Sequence, residues 1–323
     1  MRPNHLNLGR YPTPLEELPR FRAALGGGPR IFIKRDDLTG PGFGGNKVRK
    51  LEYVLADAVS QSADVVLTTG GETSNHCRIT AALCAKLGLR CMLVLHRSSR
   101  AAMPASRYLD ELYGAEIAMV ESRHDRLPTM ARLAGELVGR GHKPYVIPLG
   151  ASTPLGAVGY CDAIREIKGQ GITPSYIFHS SSSGGTQSGI LAGCIVHGIS
   201  AQVVGVSPDD SPVEITAEVR RILAGMETLL GIQLSCGDPM VLDDFIGEGY
   251  GAHTVASEEA TSLLARTEGI VLDPSYTAKA MAALITWHRE GRFRDEDAVL
   301  FWHTGGQLAL FSRWTTRRAF EVF

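Results

Sequence analysis

Lys47 stands in the first segment with chemical potential. It follows Gly42-Phe43-Gly44-Gly45-Asn46 and precedes Val48-Arg49-Lys50 and an apolar pattern over residues 51–58 that predicts a helix. Glycines ahead of a helix let backbone pass close to a ligand. A lysine at the positive end of a helix dipole loses its proton more readily and makes a better nucleophilic amine. The plainer alternative is a solvated basic loop. A second segment, Thr68-Thr69-Gly70-Gly71-Glu72-Thr73-Ser74-Asn75-His76, closes an apolar run and opens a helical pattern. Open α/β sheets bind ligands at that end of their strands. Ser74 and Asn75 could equally be N-caps, and His76 a packing residue. The third segment is the strongest: His179-Ser180-Ser181-Ser182-Ser183-Gly184-Gly185-Thr186-Gln187-Ser188-Gly189, between a strand and an apolar helix. Backbone N–H groups, hydroxyls and a helix dipole converge there on an anion, most naturally a phosphate. It carries neither a Walker loop nor a dinucleotide fingerprint. The alternative is a tight structural turn.

Two late segments are weaker. Asp273-Pro274-Ser275-Tyr276-Thr277-Ala278-Lys279 precedes a helix pattern, and Phe301-Trp302-His303-Thr304-Gly305-Gly306-Gln307 ends a buried strand pattern. Tyr276 alone could be a core aromatic and Thr304 a turn residue. No His/Cys/Asp/Glu spacing predicts a metal. A phosphate cup and a lysine after a glycine loop point to a phosphorylated cofactor that reacts with an amine, and pyridoxal 5'-phosphate fits.

The elements that position these segments read as alternating strands and helices. Strands are predicted at residues 30–34, 64–68, 91–96, 115–120, 144–148, 175–179, 202–206 and 298–303. Helices are predicted at 75–87, 130–138, 155–167, 186–197, 212–224, 257–268 and 279–289, with Ser257 before Glu258 and Glu259 as a helix start. The strand runs lack clean alternation, as in strands covered on both faces. The class is α/β with parallel sheets. Periodicity leaves a (β/α)8 barrel open, but the glycine-rich segments differ in kind and spacing, which favours two sheets in two domains, one inserted in the other.

The combination GGNKxRKLE, GGxxSNH, SGGTQSG and RTEGxxLDPxY resembles the D-cysteine desulfhydrase and 1-aminocyclopropane-1-carboxylate (ACC) deaminase family. These are fold-type II pyridoxal phosphate enzymes, akin to tryptophan synthase β. The likeness runs from Thr13-Pro14-Leu15 through Lys34-Arg35-Asp36-Asp37 to Thr304-Gly305-Gly306. It implies two open twisted parallel-sheet domains: a cofactor domain from residues 1–50 and 153–323, and a smaller inserted α/β domain from 51–152. It implies that Lys47 is the Schiff-base lysine and that Asn75 meets the ring hydroxyl. Ser182, Ser183, Gly184, Gly185 and Thr186 correspond to the phosphate loop, and Thr304 to the position facing the ring nitrogen. Ser74, Tyr250 and Tyr276 join Lys47 as catalytic groups, and Thr73, Ser74, Asn75 and His76 face the substrate.

Two departures from the family bear on substrate. ACC deaminases carry glutamate after the second tyrosine and leucine after the strand-end histidine, where this chain has Thr277 and Thr304, the desulfhydrase-like pair. Glu72-Thr73 stands where Ile-Gln is common. The expected activity is β-eliminating deamination of a small β-substituted amino acid to a 2-oxo acid such as pyruvate, ammonia and sulfide. Alternatives are an L-cysteate sulfo-lyase releasing sulfite, an ACC deaminase giving 2-oxobutyrate, a β-replacement synthase, an amino-acid racemase, or a non-enzymatic nucleotide-binding module.

Composition bounds the setting. The 323 residues are 44% hydrophobic and 21% charged, with a net charge of −1, so no strong field recruits nucleic acid or anionic membrane. No stretch approaches ~20 apolar residues, and the first 20 residues have no apolar core of a signal peptide. The six cysteines form no CxxC pair, as expected of buried thiols in a reducing compartment. A cytoplasmic homodimer acting on a small amino acid is expected.

Overall fold

The computed structural model describes residues 3–97 and 103–311. Its strands are β1 (Leu15–Glu17), β2 (Arg30–Arg35), β3 (Val65–Gly71), β4 (Arg90–His96), β5 (Glu116–Val120), β6 (Pro144–Val146), β7 (Tyr176–Ser180), β8 (Gln202–Val206), β9 (Met240–Leu242) and β10 (Ala298–His303). The helices are α1 (Pro19–Ala24), α2 (Lys47–Ser60), α3 (Asn75–Leu87), α4 (Ala105–Leu112), α5 (Arg126–Gly139), α6 (Pro154–Gly169), α7 (Gly185–His197), α8 (Pro212–Leu230), α9 (Val255–Glu268), α10 (Thr277–Arg289) and α11 (Leu308–Phe311). They form two open sheets, ordered β1-β2-β10-β7-β8-β9 and β5-β4-β3-β6, which removes the single-barrel alternative. All pairings are parallel except β1 with β2.

The uninterrupted apolar strands follow from burial on both faces. Successive side chains point to opposite sides of a sheet. Accordingly Ile31, Ile33, Phe178 and Phe301 pack with Leu264 of α9 and Met281 and Leu284 of α10. Their neighbours Phe32, Ile177, Leu300 and Trp302 pack on the other face with Ile164 of α6 and Ile190 of α7. In the smaller sheet, Val66, Leu93 and Leu95 meet α2 and α3, while Val65, Leu67 and Val94 meet Met130 and Leu137 of α5.

The eight predicted strands are present, each within about three residues of its expected bounds; β1 and β9 were not foreseen, being three-residue edge strands with partly exposed side chains. Helices α1, α4 and α11 were also missed. The start expected at Ser257 is corrected to Thr254. The Thr254 and Ser257 hydroxyls cap each other's backbone N–H at 3.1 and 2.9 Å, so Ser257 lies inside the helix. Helix α2 begins at Lys47, four residues before the apolar pattern, because Arg49, Lys50 and Glu52 are buried polar residues that hide the period. Among the described residues no helix is long and apolar enough to cross a membrane.

Candidate active site

The loops leaving the carboxyl ends of β3, β7, β8 and β10 surround a cavity of about 800 Å³. Lys47, Thr73, Ser74, Asn75, His76, Ser182, Ser183, Gly184, Thr186, Tyr250, Tyr276 and Thr304 all line it. Segments more than 200 residues apart in sequence are thus brought to one place. Gly185 is the one sequence-identified site residue outside the lining. It stands just behind, where a Cβ would meet the Ser152 hydroxyl at 2.8 Å and the Lys50 ammonium at 2.9 Å.

Lys47 is the first residue of α2. The glycine turn before it is obligatory at Gly44, which has φ +69° and would place a Cβ 2.1 Å from the Asp37 carbonyl oxygen. The Asn46 N–H donates to the Thr304 carbonyl at 2.9 Å, and its amide donates to the Thr186 hydroxyl at 3.1 Å. Asn46 therefore ties the lysine loop to both the serine loop and the end of β10. Two residues on, Arg49 anchors the helix in a buried charge cluster. It donates to both Asp36 oxygens at 2.8 Å and to Glu166 at 3.0 Å, while Tyr160 donates to Asp36 at 2.7 Å and Lys34 pairs with Glu166. Burial opposes charge on Asp36, but Arg49, Lys34 and the Tyr160 hydrogen bond together outweigh it and hold the carboxyl below the ordinary range. Removing one partner of such a cluster leaves an uncompensated buried charge, which costs about 3–5 kcal/mol.

Burial lowers Lys47 from the ordinary 10.5 to about 8, with the Lys50 contact working the other way. Burial thus leads where the sequence pointed to the helix dipole. Lys50 is pushed well below its ordinary value, by burial first and then by Lys47. Its ammonium donates to the Ser152 hydroxyl at 3.2 Å and the Gly150 carbonyl at 3.4 Å, and Ser152 in turn meets the Ser183 hydroxyl at 2.7 Å. Lys50 thus backs the serine loop as a hydrogen-bond donor. Sequence analysis gave Lys50 no role, although its i+3 spacing from Lys47 puts both on one helix face.

The serine loop has the chemistry of an anion cup. Gly184, at φ +74°, precedes α7, whose N-terminus has no side-chain cap; the Gly185 N–H donates to the Ser183 carbonyl at 2.9 Å, and the other first-turn N–H groups remain available. The hydroxyls of Ser180 and Ser181 are buried with no partner among the described residues. Unpaired buried donors, an uncapped helix and Lys50 fit a phosphate group.

Opposite, Ser74 caps α3 by accepting from the Cys77 N–H at 3.2 Å. Tyr250 and Tyr276 meet hydroxyl to hydroxyl at 2.5 Å, and burial raises the Tyr276 phenol well above its ordinary range, keeping it protonated. His76 bonds Thr68 Oγ1 through Nε2 at 2.7 Å, and burial holds it neutral. Of the pair Thr277 and Thr304, Thr304 alone lines the cavity. The Thr277 hydroxyl donates to Asp273 Oδ1 at 2.7 Å and is fully buried.

The family model described as pyridoxal-phosphate dependent enzyme matches residues 6–305. The chain belongs to this family. Its cofactor is therefore pyridoxal phosphate, and the cup and the readily neutralised Lys47 amine suit it. A D-cysteine desulfhydrase from Klebsiella pneumoniae is 39% identical over 315 residues, 95% of each chain. A crystal structure of an ACC deaminase homologue, 33% identical, superposes with a TM-score of 0.90 over 97% of this chain and 95% of its own. The processed threonine deaminase isoform 2 of Solanum lycopersicum shares the fold at 15% identity, with a TM-score of 0.67 over 91% of this chain and 79% of its own.

Proposed function

We propose that the protein is a β-eliminating deaminase that converts a small β-substituted amino acid of the D-cysteine kind to pyruvate, ammonia and sulfide. The observation that carries this reading is the half-buried Lys47, its amine readily neutralised, in one cavity with the serine-glycine cup and the hydroxyls of Ser74, Tyr250 and Tyr276. Pyridoxal phosphate, when bound, supplies the electron sink for the α-carbon. The N–H groups of Ser182, Ser183, Gly184 and Thr186 would hold its phosphate, with Lys50 behind them. Lys47 is the residue that would hold the cofactor, and its Nζ would accept the α-proton of the substrate. Ser74 and the N-terminus of α3 receive the substrate carboxylate. The protonated Tyr276, in contact with Tyr250, gives its proton to the leaving sulfur. Thr304 offers the ring nitrogen a neutral hydroxyl rather than a charge that would hold a proton there. That arrangement suits a substrate with a good leaving group better than a cyclopropane.

Residues 1–50 and 153–323 as cofactor domain, and 51–152 as the inserted one, complete the reading; the smaller sheet's strands all fall between 65 and 146. So does a cytoplasmic homodimer, the compartment in keeping with six cysteines outside any disulfide, five of them buried.

A panel of amino acids tests the activity. D-Cysteine is expected to give pyruvate, ammonia and sulfide in equal amounts, with ACC at least about tenfold slower in kcat/KM, a difference of about 1.4 kcal/mol. Faster release of 2-oxobutyrate from ACC than of pyruvate from every β-substituted amino acid would refute the reading. A second reading has its own support. Arg123 and Arg126 line the cavity, and neither pairs with a carboxylate among the described residues, which favours an anionic β-substituent such as a sulfonate. Sulfite from L-cysteate outpacing sulfide from D-cysteine would move the assignment there.

The lysine also sets a pH dependence. The neutral amine attacks the cofactor aldehyde, and its fraction grows as pH rises through about 8. Uptake of pyridoxal phosphate by the apoprotein should therefore accelerate with a midpoint near pH 8, against roughly 10.4 for an exposed lysine. Stopped-flow absorbance across pH 6–11 reads this, and a midpoint near the exposed value would contradict a buried Lys47.

A further inference from the structure

Arg78 lies on α3 three residues after Asn75, so the two side chains share a helix face. It is 1% exposed. Its Nη1 donates to Asn75 Oδ1 at 2.6 Å and to the Ser106 hydroxyl at 3.4 Å, and its Nε donates to the Gly42 carbonyl at 2.8 Å. A guanidinium has donors only. The two ends of a carboxamide have nearly the same shape, and the neighbours decide which way round it sits. Facing Arg78, Asn75 must offer its oxygen, which leaves the amino group as the end free for the cavity it lines.

The charge on Arg78 is held at a cost. Burial lowers it to about 10. Asp110 on α4, also 1% exposed, acts on it electrostatically without a hydrogen bond, and both Asp110 oxygens are unpartnered among the described residues. A buried charge of this kind is weak support for stability. Its bonds instead join the first turn of α3 to the glycine turn that precedes Lys47.

We propose that Arg78 is a positioning residue that fixes Asn75 as a hydrogen-bond donor to the ring oxygen of pyridoxal phosphate and locks that amide to the Lys47 turn. This rests on the site reading above, in which Asn75 faces the ring hydroxyl. A donor on that oxygen favours its ionised form, so its loss moves the bound cofactor's visible absorption toward the short-wavelength band.

The test compares absorption spectra and cofactor dissociation constants of holoenzymes carrying Arg78→Met, Asn75→Ala and both. Each single variant is expected to enlarge the short-wavelength band and weaken cofactor binding about tenfold. The double variant should go no further than Asn75→Ala, because both changes remove one interaction. An Asn75→Ala shift without an Arg78→Met shift overturns the positioning role. No shift in Asn75→Ala overturns the reading of Asn75 and the inference with it. Should Arg78→Met fail to fold, Arg78→Gln decides. Glutamine offers both donor and acceptor, so it cannot dictate the order of the amide; an enlarged short-wavelength band supports the proposal and a wild-type band overturns it.

Discussion

Replacing Gly185 with valine is expected to yield a folded, colourless protein. The Cβ would lie 2.8 Å from Ser152 Oγ, 2.9 Å from Lys50 Nζ and 2.9 Å from Ser152 Cα. Lys50 can swing aside, but the Ser152 backbone cannot. Valine adds two methyl groups to that conflict, so the serine loop must move off the helix N-terminus that carries its donors. Overpacking of this kind costs about 1–3 kcal/mol, and the displaced donors add to it. Cofactor affinity should fall at least about 100-fold, since each 1.4 kcal/mol is tenfold. Equilibrium dialysis measures the loss, and far-UV circular dichroism separates it from unfolding. A variant that keeps its colour and wild-type affinity would show that the phosphate sits elsewhere. Gly184→Val is the less clean change. Its φ of +74° makes any side chain strained there, whatever the space.

Lys47→Ala is expected to abolish turnover while leaving the cup intact. General-base catalysis alone contributes roughly 10²–10⁴-fold, and the variant also loses the covalent attachment, so kcat should drop by about 10³-fold or more. Lys50 is not a substitute. Its ammonium is held by Ser152 and Gly150 behind the serine loop. Lys50→Ala should instead retain the covalent link and lose cofactor affinity. Single-turnover assays of the two variants make the distinction, and near-normal turnover in Lys47→Ala would end Lys47's role as base.

The site's parts were legible to different depths. The second and third glycine-rich segments each combine a strand end, small residues and a helix start, so their common destination follows from the sheet rule for ligand sites; the first offers only glycines and a helix start. Lys47 stood out for its setting, although the burial that lowers it was not legible there. Arg49, Asp36 and Glu166 were not legible as a cluster, because the pairing of Arg49 with Glu166 spans 117 residues and no local pattern announces it. Lys50 was readable from its helix spacing and was passed over. Thr277 was read as half of a substrate-determining pair. Its hydroxyl direction depends on Asp273, which accepts from it and from the N–H groups of Ser275, Tyr276 and Thr277. A glutamate at position 277 would meet that buried carboxylate, so substrate exchange through position 277 would be less simple than the sequence implies. The short edge strands escaped for want of apolar length, and the first turn of α2 because its buried residues are charged.

The claim on which the site rests is that Lys47 carries pyridoxal phosphate inside this cavity. Reducing the holoenzyme with borohydride and mapping the labelled peptide measures it directly. The label should fall on Lys47 at one per chain and be absent from the Lys47→Ala variant. A label on Lys50, or on any lysine outside the cavity, would contradict the assignment.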